Sequence, residues 1–190
     1  MRIELRNDSV LLDGYVNAVG RDSRPIITVR GKCVEQIEPR AFERALKRAE
    51  NIELLLDHDK NKRLGSTKEG NLKLKEDNIG LRAICTVTDP EVIEKARKNE
   101  LRGWSFGMYV KEDTIEERSE GIPRRCVSEL ELFEVSIIDT RMNPCYVGTS
   151  IEQRAEEEII KEQRGEEFQA TTENLETKNY EKYEKRLKAL

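Results

Sequence analysis

Histidine, tryptophan and paired cysteines are the first things this 190-residue chain has little of: it holds one His, one Trp and no C-x-x-C pair. Cys33, Cys85, Cys126 and Cys145 lie 52, 41 and 19 positions apart. With His58 as the only imidazole, they do not make up a Cys/His zinc site, and no metal or cofactor is expected. Reduced thiols, buried or half-exposed, are the expectation for a cytosolic chain. Long apolar runs are missing too; none reaches about 18 residues, which argues against a transmembrane helix. Residues 1–8 alternate charged and apolar side chains without an apolar h-region, so no signal peptide is expected. Positive charge is not in surplus: 34 Lys+Arg against 38 Asp+Glu give a net charge of -4 and a pI of about 5.4. Neither nucleic acid nor an acidic membrane surface suits such a protein as partner. Apolar residues are only 36% of the chain, below the roughly 45–50% of ordinary domains. Part of the chain is therefore expected to stay outside the core.

That part begins near residue 150. Residues 151–190 carry 11 acidic and 8 basic side chains among 40, and their scattered apolar residues are too few for a core of their own. Propensity predicts a helix from Ile151 to about Gln169 and a second from Asn179 to Leu190. The segment reads either as a solvated tail or as a docking or processing element. Two parts follow: a folded domain over 1–150 and a charged helical or disordered tail over 151–190.

Within 1–150 the pattern is mostly β. Ile3–Arg6, Val10–Val19 and Ile26–Val29 read as strands, the second a mostly apolar run expected of a buried one. Pro39 precedes an amphipathic helix from Arg40 to Ala49 with Ala41, Phe42, Ala45, Leu46 and Ala49 on one stripe. Ile52–Leu56 is a short apolar strand leading straight into Asp57-His58-Asp59. Leu72–Lys75 and Leu81–Val87 alternate by twos around a turn at Asn78-Ile79-Gly80, as in an antiparallel hairpin. Asp89 and Pro90 supply an N-cap and first position for a second helix, with Val92, Ile93 and Ala96 as its stripe. Trp104–Val110 and Leu130–Ile138 are two further strands joined by a polar loop. About eight strands and two helices without β-α alternation predict an α+β class: a mostly antiparallel, barrel-like domain with a few flanking helices.

Three places could carry chemistry. His58 follows three leucines at the end of a buried strand, and any histidine acid–base chemistry must use it; taken alone it also fits a core histidine bonded to Asp57 or Asp59. Gly103-Trp104-Ser105-Phe106-Gly107 matches G-x-S-x-G, but the nucleophile-elbow reading fails. The only His precedes the serine, the segment continues as strand, and the domain is short for a doubly wound hydrolase sheet. A serine flanked by glycines on a strand still admits a close substrate backbone, or the glycines merely mark a bulge. In Leu132–Ile138, period 2 sets Glu134 on the face of Leu132 and Ser136, opposite Phe133, Val135 and Ile137. A carboxylate there needs a partner or an exposed edge. Ser105, His58 and Glu134 could serve as nucleophile, base and orienting group, although spacing does not show that they meet.

With these residues in view, the chain resembles the prohead protease family of tailed bacteriophages, whose fold is related to that of the herpesvirus capsid-maturation serine proteases. The resemblance runs from about Leu12 to Tyr146. It rests on Gly14-Tyr15-Val16, Glu38-Pro39-Arg40-Ala41-Phe42, and Leu54-Leu55-Leu56-Asp57-His58-Asp59 followed by Leu64-Gly65. It continues through Gly80-Leu81, Gly103–Met108 and Leu132–Ile138. It implies a serine endopeptidase that digests the scaffold, or the scaffolding segment of the major capsid protein, and often itself, inside the immature capsid in the host cytoplasm. On this pattern His58 is the base and Ser105 the nucleophile, and the acidic residue before V-S falls on Glu134. The herpesvirus relatives use a second histidine as third member, which this chain lacks. Many members have Pro-Gly-Ala-Phe where this chain has Pro39-Arg40-Ala41-Phe42, a change expected to affect a turn. Many also have Pro-Ala-Asn where it has Thr140-Arg141-Met142-Asn143-Pro144, in the region of the viral oxyanion arginine. Arg141 and the main-chain N–H groups beside it are therefore oxyanion candidates. Because the viral relatives are activated by dimerisation, a homodimer is implied as well, and an integrated prophage is as plausible a source as a free phage.

Two rival readings accompany this one. A cysteine peptidase would pair His58 with one of the four thiols, none of which sits between glycines as Ser105 does. A catalytically inactive capsid-assembly or scaffold protein would keep the fold and dock through the charged tail.

Overall fold

The computed structural model describes residues 2–142 and 162–164. In chain order the elements are β1 (Arg2–Leu5), β2 (Val10–Ala18), β3 (Ile26–Thr28), β4 (Gly31–Ile37), α1 (Ala41–Arg48), β5 (Glu53–Leu56) and β6 (Asp59–Ser66). They continue with β7 (Leu72–Glu76), β8 (Gly80–Val87), α2 (Pro90–Arg97), β9 (Leu101–Glu116), β10 (Arg124–Asp139) and β11 (Glu162–Arg164). The α+β class expected from the pattern is present, mostly β with two helices.

Strands β1-β2-β8-β7 form an antiparallel sheet of four. A second sheet runs β11-β9-β10-β4-β3, with β5 joined to β10 and β6 to β5. Strand β10 organises it. Along one side β10 pairs antiparallel with β9 over nearly its whole length. Along the other it pairs parallel with β4 at Arg124–Val127 and parallel with β5 at Glu134–Ile137. The expected barrel-like closure is not found. Closing a sheet requires its last strand to pair with its first, and among the described residues no strand pairing joins the two sheets.

Instead the sheets and helices share one apolar core. Val10, Leu12 and Val16 of β2, Leu81, Ala83 and Cys85 of β8, and Trp104, Phe106 and Met108 of β9 all bury in it. Trp104, Phe106 and Met108 alternate inward, as period 2 requires, and Phe42 of α1 meets Phe106 edge-on with ring centroids 5.3 Å apart. Burial of aromatics and aliphatics on this scale, at about 25 cal/mol per Å² of apolar surface, is the main force holding the domain.

Both expected helices form. The Asp89 side chain accepts from the N–H groups of Glu91 and Val92, with Pro90 at the first helical position. At the start of α1 the N-cap residue, Arg40, has φ 71° and ψ 2°, a left-handed conformation that glycine adopts without steric cost. Glu76 braces this turn, accepting from the N–H groups of Arg40 and Glu43 at 2.6 Å each.

Three departures from the sequence pattern stand out. Strands β4 and β6 were not expected; β6 is polar and exposed from Asp59 to Arg63, so it carries no alternation. The polar loop expected after Val110 is largely strand, because β9 and β10 extend as a paired ribbon to Glu116 and Arg124. In the tail, where a helix was expected from Ile151 to about Gln169, residues Glu162–Arg164 are a strand; the rest of that helix, the second tail helix and Cys145 lie outside the described residues. Cys33, Cys85 and Cys126 are buried.

Candidate active site

His58 is set by a two-residue hairpin. Leu56 pairs with Asp59 across β5 and β6, which leaves Asp57 and His58 as the turn, at φ 51° and 60°. Two left-handed positions define a type I′ turn, where Asn-Gly is preferred; residues with a Cβ cost roughly 1–2 kcal/mol each there. Such a backbone persists only where its surroundings over-determine it, and here three hydrogen bonds to β10 do so. The Asp57 N–H donates to Ile137 O at 2.9 Å, Asp57 Oδ1 accepts from the Asp139 N–H at 2.9 Å, and the His58 N–H donates to Ser136 Oγ at 3.1 Å.

Glu134 is turned toward this hairpin by a bulge in β10. Leu132 opposes Met108 and Glu134 opposes Gly107, leaving Phe133 as the extra residue. The simple alternation that put Leu132 and Glu134 on one face is therefore corrected: Leu132 joins the core, and Glu134 faces His58. Glu134 is 2% exposed, yet both its oxygens are satisfied. His58 Nδ1 lies 2.6 Å from Oε1, and Ser136 Oγ–H donates to Oε2 at 2.6 Å. A carboxylate only accepts, so Nδ1–H is the donor in this contact, and in the neutral ring Nε2 then keeps its lone pair. Gly107 makes room for the arrangement. A Cβ there would come within 2.5 Å of Glu134 Oε1 and of the Phe133 ring.

Ser105 sits on β9 directly opposite Ser136. Opposed residues of an antiparallel pair share a face, with Cβ atoms about 4.5–5.5 Å apart. Ser105, Gly107, Glu134 and Ser136 thus make one polar face. Ser105 is 3% exposed, and among the described residues its hydroxyl has no side-chain hydrogen bond. The structure brings His58 and Glu134 into direct contact and places Ser105 one residue pair from that contact. Ser136, which touches both Glu134 and the His58 main chain, was not singled out as a site residue; its place two positions beyond Glu134 on the same face was the available signal.

Arg141 lies on the other side of the turn. Its Nη2 is 2.8 Å from Asp57 Oδ2 and 2.9 Å from Asp139 Oδ2, and Lys95 Nζ is 2.8 Å from the same Asp139 oxygen. Burial pushes the Asp57 carboxyl up to about 6, with Asp139 adding to the rise. Arg141 and Lys95 overcome burial at Asp139 and hold it well below the usual carboxylate range. The folded chain binds the Asp57 proton more tightly than the unfolded one, so this group's stabilisation is full below pH 3.8 and disappears as pH rises through about 6. Relative to wild type, Asp57→Asn is expected to gain stability between pH 4.5 and 7.5, measured by urea unfolding across that range. A difference between the two chains that does not change with pH would refute the assignment.

Cys85 and Cys126 offer little as nucleophiles. Burial raises Cys85 far above the normal thiol range and raises Cys126 as well, which leaves no useful thiolate fraction. Among the described residues no group of three or more His, Cys, Asp or Glu side chains could hold a metal ion, and no helix is long and apolar enough to cross a membrane.

A scan against family models matches residues 1–163 to the caudovirus prohead serine protease family. The chain belongs to this family. Comparisons with curated proteins and with solved structures give no significant match. Membership makes the chain a prohead protease of the serine class, one of capsid maturation, whose place of action is the procapsid in the host cell. The match covers the described domain and reaches β11, so His58, Ser105, Glu134 and Arg141 all fall within it.

Proposed function

We propose that this prohead protease cleaves the scaffold, or the scaffolding segment of the major capsid protein, with Ser105 as nucleophile, His58 as general base and Glu134 as its orienting carboxylate. The observation that supports this most is the His58 Nδ1–Glu134 Oε1 contact of 2.6 Å on the same sheet face as Ser105. Ser105 Oγ attacks the scissile carbonyl carbon as His58 Nε2 takes the hydroxyl proton. The C–N bond then breaks, and the imidazolium returns that proton to the leaving amine. Water hydrolyses the acyl-enzyme by the same steps. Glu134 stabilises the imidazolium and holds its tautomer, and Ser136 holds Glu134. Arg141 serves first by neutralising Asp57 and Asp139 beneath the turn; to act as an oxyanion donor it would have to release one of these carboxylates.

A fluorophosphonate probe tests the reading. Intact mass should show one adduct per chain, mapped to Ser105 by peptide analysis and absent in His58→Ala. Labelling only by a thiol alkylator, with cleavage lost on alkylation, would favour the cysteine reading. Lack of both adduct and cleavage with scaffold present would favour an assembly protein.

A further inference from the structure

We infer that the outer edge of β9 beside Ser105 binds an extended peptide as an added antiparallel strand, and that the chain's own Glu162–Arg164 segment is the resident occupant of that edge, competing with substrate. The competition rests on the protease reading of Ser105; the docking does not.

Strand β9 has two edges in this region. One is taken by β10, and the other is paired with β11 in the register Glu162 to Met108, Gln163 to Gly107 and Arg164 to Phe106. The next residue of β9 is Ser105. The segment therefore runs toward the proposed nucleophile. A sheet edge of unpaired N–H and C=O groups recruits strands through main-chain bonds whatever the sequence. The missing side chain at Gly107, midway along the pairing, lets an arriving backbone approach closely.

Weak intrinsic affinity is also built in. Only three residues pair, and Glu-Gln-Arg has little strand preference. Tethering offsets this: the segment belongs to the same chain, so its pairing with β9 is an intramolecular event that needs no second molecule. A weakly held but tethered strand is occupied by default and yields to a better-pairing chain. The covered state of the reacting groups agrees, since Ser105 is 3% exposed and the His58 side chain 4%, whereas an endopeptidase must admit several residues of extended chain.

Hydrogen exchange on the full chain tests the docking without reference to catalysis. In a Ser105→Ala background, Gln163→Pro removes a main-chain N–H and disfavours strand pairing. Amides in peptides covering Phe106–Met108 should then exchange about tenfold faster or more, with no change in β2 and β8. Equal exchange in the two chains would overturn the docking, and protection that rises with protein concentration would assign the strand to a second copy and overturn self-occupancy. In the Ser105 chain, Gln163→Pro should speed fluorophosphonate labelling several-fold. Faster exchange without faster labelling would overturn the competition alone. Absence of labelling in both chains would count against the protease reading, and the exchange result would still decide the docking.

Discussion

Ser105→Ala is expected to remove cleavage of the scaffold or capsid-protein substrate, with a rate loss of about 10³-fold to 10⁶-fold. The size follows from the role: without the hydroxyl no acyl-enzyme forms, and what remains is binding and electrostatic stabilisation of direct water attack. The same substitution should leave the fold intact. The residue is buried and its hydroxyl makes no side-chain hydrogen bond among the described residues, so its removal strands no partner, and thermal stability should stay close to that of the wild type. Intact-mass time courses with scaffold, paired with a thermal melt, separate the two effects. Cleavage that survives in a folded Ser105→Ala chain would refute the nucleophile and return attention to the thiols.

Glu134→Gln is expected to cost about 10⁴-fold in kcat, with KM changed much less, by analogy with amide replacement of the acid in Ser-His-Asp sites. The geometry explains why so small a change acts so strongly. A glutamine amide fits the same space between His58 Nδ1 and Ser136 Oγ, but it can donate as well as accept. It then stabilises the tautomer that protonates Nε2, the nitrogen that must take the Ser105 proton, and it no longer offsets the imidazolium charge. Because volume and partners are kept, the variant should fold. Retention of more than a tenth of wild-type kcat would show that the site works as a Ser-His dyad and that Glu134 is structural.

The three candidate residues were legible because each breaks a local pattern: a lone histidine after three leucines, a serine between glycines, a carboxylate inside an apolar strand. Their arrangement was not. Period 2 put Glu134 on the face of Leu132, and only the bulge at Phe133, which no single side chain announces, separates the two. The Asp57-His58 turn was hidden for a related reason. Its left-handed backbone calls for Asn-Gly, and the residues present obey their contacts to β10 instead of the turn rule. The class and eight of the strands followed from alternation and apolar runs, whereas β6 and the outer halves of β9 and β10 are polar ribbons whose order comes from long-range pairing. The three-residue β11 had no signal at all, since its composition favours a helix and its partner lies more than 50 positions away.

Strand β10 also determines when the chain can become active during its own folding. On the proposed roles, the base comes from a hairpin that joins β10 in parallel, the nucleophile from a strand that joins it on the opposite side, and the orienting carboxylate from β10 itself. The parallel contact unites segments about 80 positions apart, the kind of loop closure that comes late because its entropic cost falls due before its contacts form. A nascent or partly unfolded chain thus holds the three groups on separate pieces of backbone. On the proposed roles, a chain that has lost either ladder no longer holds its three groups together and is expected to cleave nothing.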